Sequence, residues 1–113
     1  MQQMLRSVLA AQIIIPLAEQ PVMDGARLLS WKPATVTRDA DGAQFVVVFT
    51  DEELDGKYAK WRPEYPYRLR VTGDWLITTL PAGHGIVVNL GGGEIMFEWP
   101  AAGIQAYRAE QGA

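Results

Sequence analysis

At the start of the chain Met1, Met4, Leu5, Val8 and Leu9 recur at intervals of three and four, which predicts a helix with one buried stripe. The run Gln12-Ile-Ile-Ile-Pro16 then predicts a strand, because three successive β-branched residues lose side-chain entropy in a helix and fit a pleated surface. Pro16 lacks a backbone donor and is expected at the strand's end or at an edge. Asp24-Gly25 is a turn signal, and Arg27–Trp31 reads as a short strand stopped by Pro33. Thr35–Arg38 and Ala43–Phe49 flank Asp39-Ala-Asp-Gly42, a tight polar turn with glycine where positive φ is needed. The second arm, Phe45-Val-Val-Val-Phe49, is apolar on both faces, the mark of a central strand.

Thr50 and Glu53 have the spacing of a capping box, and the carboxylates of Asp51, Glu52 and Glu53 suit the positive end of a helix dipole. A helix over about 51–59 is predicted, weakened by Gly56. Trp61, Pro63, Tyr65 and Pro66 make an aromatic loop, after which Tyr67-Arg-Leu-Arg-Val71 alternates as a half-exposed strand does. Thr72 or Asp74 caps a second helix through Leu80, which Pro81 ends. Gly85–Leu90 is an apolar strand, Gly91-Gly-Gly93 turns the chain, and Glu94–Glu98 pairs back as a hairpin. Pro100 opens a last helix to about Glu110 that buries Ile104 and Tyr107. This order predicts an α+β fold: a mixed, mostly antiparallel sheet of about five strands, with three to four helices packed against it.

The length of 113 residues is that of one domain, so 1–113 is read as a single unit. Apolar residues make up 49% of the chain, enough for a core, and the net charge of −3 argues against general nucleic-acid binding. Cysteine is absent, which excludes disulfides and thiolate metal sites. Polar residues interrupt Met1–Ile15 too often for a signal peptide, and no apolar run reaches the roughly 20 residues that span a bilayer. A cytoplasmic protein without membrane association is expected.

Three pieces of this pattern together resemble the SseB N-terminal domain family, over roughly residues 4–107. They are Ile13-Ile-Ile-Pro16 after an N-terminal helix and the strand-to-helix passage Val46-Val-Val-Phe49-Thr50-Asp51-Glu52-Glu53-Leu54. The third is Leu80-Pro81 followed by Gly85-Ile-Val-Val-Asn89, a glycine turn and a helix opened by Pro100. Leu90 stands where the family often has proline after the asparagine. The resemblance implies an α+β fold without established catalytic residues, and binding or regulatory modules, some of them near secretion and toxin systems.

Candidate chemistry is sparse. His84 is the single histidine, set between Gly83 and Gly85, and Ser7 and Ser30 are the only serines, so no nucleophile has an evident base. The carboxylates at 51–55 are explained by their place at a helix start, and Asp39 and Asp41 by their place in a turn, so neither metal nor cofactor is expected. Gly91–Gly93 lacks the lysine and the following helix of a phosphate loop.

Two features stand out. Residues 39–55 hold six acidic and no basic residues, whereas residues 57–70 hold five basic residues and one acidic. Tyr58, Trp61, Tyr65 and Tyr67 are interleaved with Lys60, Arg62 and Arg68, and Trp, Tyr and Arg dominate the energetics of protein interfaces. The chain therefore reads as a non-enzymatic protein-binding domain, most concretely an immunity or inhibitor protein that neutralises a partner toxin. Its expected contact residues are Tyr58, Lys60, Trp61, Arg62, Tyr65 and Arg68, with Asp51, Glu52 and Asp55 as a second patch. The alternatives are a regulatory or secretion-associated module, a small-molecule or hydrolytic site around His84 and Asn89, and homodimerisation through the Tyr67–Val71 edge.

Overall fold

The computed structural model describes residues 12–25, 27–80, 83–91 and 96–112; the helix expected over the first nine residues and part of the Gly91–Gly93 turn lie outside them. The elements run β1 (Gln12–Leu17), β2 (Val22–Asp24), β3 (Arg27–Ser30), β4 (Thr35–Thr37), β5 (Gln44–Val48), α1 (Glu52–Trp61), β6 (Tyr67–Thr72), α2 (Gly73–Thr79), β7 (His84–Val88), β8 (Phe97–Trp99) and α3 (Ala101–Gly112). The protein is α+β, and most of its strand pairs are antiparallel.

The strands do not form the one sheet of about five that the sequence predicts. They form a four-stranded sheet in the order β4-β5-β7-β8 and two separate pairs, β1-β6 and β2-β3. The reason lies in β5. Phe49 exchanges two backbone hydrogen bonds of 2.8 Å with Ile14, so the end of β5 catches β1 for one residue pair only. Ala34 continues the stitch, donating to the Pro16 carbonyl and accepting from the Val47 amide, each at 2.9 Å. Pro16 lies within β1 opposite Arg68. It has no amide to give, and its carbonyl serves the Ala34 side.

The period-2 alternation of β5 sorts the core into two halves, as expected for a strand apolar on both faces. Val46 and Val48 join Ile13, Ile15, Leu17, Ile86 and Val88 on one face, against Leu76 and Ile77 of α2 and Ile104 of α3. Phe45, Val47 and Phe49 join Ile14, Val87 and Tyr58 on the other, the Tyr58 side chain coming from α1. Each fully buried Val, Ile or Leu contributes about 1.5–3 kcal/mol, which is why the strand with no exposed face takes the centre.

β5 and β7 are parallel, in register from Gln44↔His84 to Val48↔Val88, and the chain between them carries α1, β6 and α2. The ladder continues past both strands through one side chain. The Asn89 amide donates to the Val48 carbonyl at 2.8 Å, its Oδ1 accepts from the Thr50 amide at 2.9 Å, and its Nδ2 donates to Thr50 Oγ1 at 2.9 Å. Asn89 holds φ at +58°, a left-handed conformation that asparagine tolerates better than most residues. Thr50 is thereby engaged, and the cap of α1 is Asp51, whose carboxylate accepts from the amides of Glu53 and Leu54. This corrects the expected Thr50–Glu53 capping box. Thr72 caps α2 by accepting from the Trp75 amide.

At the other end of β7 the packing is tight. A Cβ on Gly85 would lie 2.6 Å from the Trp99 carbonyl oxygen and 2.7 Å from the Phe45 ring. Arg38 lies over that ring at 5.2 Å and reaches Glu98 of β8 at 3.3 Å. It also binds Asp41 at 2.8 Å, and this bond holds the Asp41 carboxyl down at about 2.

Gly85→Ala is expected to lose about 1–3 kcal/mol of stability through overpacking against backbone, seen as a lowered melting temperature; an unchanged melt would refute the close approach. A depressed folded-state value means that Asp41 stabilises above its ordinary range and loses that contribution as pH falls toward about 2. Arg38→Ala should raise the Asp41 titration, followed by carboxyl NMR, part of the way to its ordinary value, the Ala43 amide still holding it below.

Candidate functional site

Helix α1 carries the most exposed large apolar side chain among the described residues. Its first turn is acidic, with Glu52, Glu53 and Asp55, and Lys60 lies in its last turn. The two signs of charge segregated in the sequence meet across this helix. Glu52 and Asp55, one turn apart, face Arg70 and Arg68 of β6: Arg70 Nη1 lies 2.9 Å from Glu52, and Arg68 Nε lies between the two Asp55 oxygens at 2.9 and 3.0 Å. The Asp55 and Arg68 side chains are only 11% and 18% exposed, so this pair is a lock between helix and strand. Arg68 also donates to the carbonyls of Tyr65 and Tyr67. Arg62 binds Glu64 at 2.8 Å, and Lys57 approaches Glu53 at 3.9 Å.

While Tyr67 stays exposed, Trp61, Tyr65 and Phe49 form one cluster around Tyr58, which is 4% exposed. Its ring packs on Phe49 at 5.3 Å, meets Trp61 edge-on at 5.8 Å and stacks on Tyr65 at 6.3 Å. Arg62 lies over both Trp61 and Tyr65, at 5.7 and 5.5 Å. Its amide closes α1 by donating to the Tyr58 carbonyl at 2.7 Å. Burial raises the Tyr58 phenol above its ordinary value, and the hydroxyl has no hydrogen-bond partner among the described residues.

Trp61 lies at the end of this cluster and is 68% exposed. Together with Leu54, Lys57, Tyr58, Leu90 and Gly91 it lines an open groove of about 350 Å³. Leu54, Lys57, Tyr58 and Trp61 recur at helical spacing and share one face of α1. Leu90 and Gly91 follow the Thr50–Asn89 clasp, so the stitch at the end of β7 also sets the far wall of the groove.

The structure divides the sequence-predicted contact residues. Trp61, Lys60 and Glu52 are exposed, and Asp51, Arg62 and Tyr65 are half-buried. Tyr58 and Asp55 are interior and Arg68 is mostly covered, because ring stacking and the helix–strand ion pair occupy them. These three act through packing, and the expected polarised surface is largely cancelled by internal pairs. Leu54 and Lys57 were missed, although their spacing to Trp61 is visible in the chain; Leu90 and Gly91 carry no local signal. His84 and Asn89 do not converge. They stand at opposite ends of β7, about 16 Å apart at the rise of a strand, and Asn89 is used by Thr50. Among the described residues no three His, Cys, Asp or Glu side chains gather as metal ligands, and no helix is long and apolar enough to cross a membrane.

Fold and site together describe a small α+β domain that presents an apolar groove along one helix, beside an exposed indole. Residues 1–106 match the family described as SseB protein N-terminal domain, and the chain belongs to that family. No curated protein and no solved structure matches it.

Tyr58→Phe keeps the ring contacts and removes a buried hydroxyl that has no partner among the described residues. It should raise stability by about 1 kcal/mol, or roughly 4 °C in melting temperature. A fall of that size would show that the hydroxyl is bonded in the folded protein.

Proposed function

We propose that this domain works by binding another protein, and that the Trp61 groove is where the partner docks. One observation carries this reading: a tryptophan that is 68% exposed borders a groove whose other walls are largely apolar. Leaving an indole in water forgoes a large burial energy, whereas tryptophan in a desolvated pocket is among the strongest contributors to protein interfaces. The indole is held by its neighbours, with Tyr58 at its edge and Arg62 over its face, so little side-chain freedom is lost on binding.

In its most concrete form the role is that of an immunity or inhibitor protein, which covers the working surface of a toxin and needs no chemistry of its own. A regulatory or secretion-associated role would use the same surface on a different partner. Membership of the SseB N-terminal domain family is compatible with both.

A photo-crosslinking residue in place of Trp61 should capture one protein partner, and the same residue at Leu29, exposed on the β2–β3 hairpin, should not. With that partner purified, Trp61→Ala should weaken binding at least 30-fold, about 2 kcal/mol, while leaving the melting temperature within about 2 °C. Equal capture from both positions, or an unchanged affinity, would refute the docking site.

A further inference from the structure

The charges around the groove specify what kind of segment it accepts. Five of the acidic residues are held by arginine: Glu52 by Arg70, Asp55 by Arg68, Glu64 by Arg62, and Asp41 and Glu98 by Arg38. The lysines of α1 are not held in this way. Lys60 meets no carboxylate among the described residues, and Lys57 meets Glu53 at 3.9 Å with both side chains exposed, a pair that water largely screens. Lys57 and Lys60 stand four positions and one position before Trp61 on α1. Glu53 stands eight positions before it, about 12 Å along the helix axis. The groove thus combines apolar walls with one lining cation, Lys57, and Lys60 extends from the adjoining face of the helix beside Trp61; neither has a strong internal partner.

Building on the protein-binding reading, we propose that the groove receives an apolar side chain carried on an acidic segment of the partner, whose flanking carboxylates meet Lys57 and Lys60. The apolar anchor fills the space between Leu54, Tyr58, Trp61 and Leu90, and the carboxylates remain at the rim, where the lysine ammonium groups stay hydrated and both sides avoid the cost of burying an unpaired charge. A basic segment would bring like charges together at the same rim.

The test uses the full chain, labelled with nitrogen-15, and three synthetic peptides that share one leucine–tryptophan anchor flanked by glutamate, glutamine or lysine. The glutamate peptide should shift the Trp61 indole N–H and the Leu54 and Gly91 amides. It should bind about five- to tenfold tighter than the lysine peptide at low salt, with the preference shrinking as salt rises. The double substitution Lys57→Glu, Lys60→Glu lies on exposed positions; it should lower the melt by only a few degrees, through the lost Glu53 pair and the helix dipole, and reverse the order of the peptides. Equal binding of all three peptides at the groove signals, or an order unaffected by the double substitution, would overturn the acidic segment while leaving the protein-binding reading in place. Groove signals unmoved by every peptide would overturn the acidic segment too, and the protein-binding reading would fall with it only if Trp61→Ala also left partner affinity unchanged. Self-association of the free protein that Trp61→Ala abolishes would assign the groove to a second copy and overturn the acidic partner.

Discussion

Strand β5 is covered on both faces and bonded along both edges, and the position of every groove residue follows from it. Its odd-numbered side chains, Phe45, Val47 and Phe49, build the half of the core that Tyr58 enters from α1. Its even-numbered ones, Val46 and Val48, build the half that α2 and α3 close. Parallel pairing with β7 brings two distant parts of the chain to the same end of the sheet, where Thr50 and Asn89 bind each other. That clasp fixes where α1 begins on one side and where Leu90 leaves on the other. The groove is the space left between them.

The acidic and basic blocks have a different meaning in space than along the chain. In sequence, six carboxylates precede a run rich in lysine and arginine, as on a molecule with two charged poles. In the fold, α1 lies against β6 so that Glu52 meets Arg70 and Asp55 meets Arg68. The second of these pairs is nearly buried, where removing one partner would leave an uncompensated charge, so it orients helix against strand more than it attracts anything from outside. What remains open on this side of α1 is a smaller, apolar groove with Lys57 in its lining.

The chain belongs to the SseB N-terminal domain family and its architecture is α+β, and neither fact assigns a reaction. The groove is therefore the feature through which a function can be read. Its walls come from a helix face and a strand-end turn rather than from converging acids, bases or nucleophiles. His84 and Asn89, the two residues that sequence alone would join in a small-molecule site, are separated by the length of β7, and the clasp gives Asn89 a structural role.

Local rules made much of the architecture legible before any coordinates. The valine run of β5, the turn with Gly42 at φ +71°, the alternation of β6 and the helices after Asp51, Thr72 and Pro100 all depend on residues that are neighbours in the chain. Backbone preference and hydrophobic period act over a few residues, so they can be read from a few residues. Trp61 is the exposed tryptophan of α1, and the sequence placed it on an exposed aromatic surface. Three things depended on contacts between residues far apart in the chain: the division of the strands into one four-stranded sheet and two pairs, the use of Thr50 by Asn89 thirty-nine positions later, and the burial of Tyr58 and Asp55 with the covering of Arg68. A side chain's type sets what it can bond or bury. Only tertiary structure decides which partner reaches it first, and here that decision buried Tyr58 and Asp55, covered most of Arg68 and left Trp61 outside.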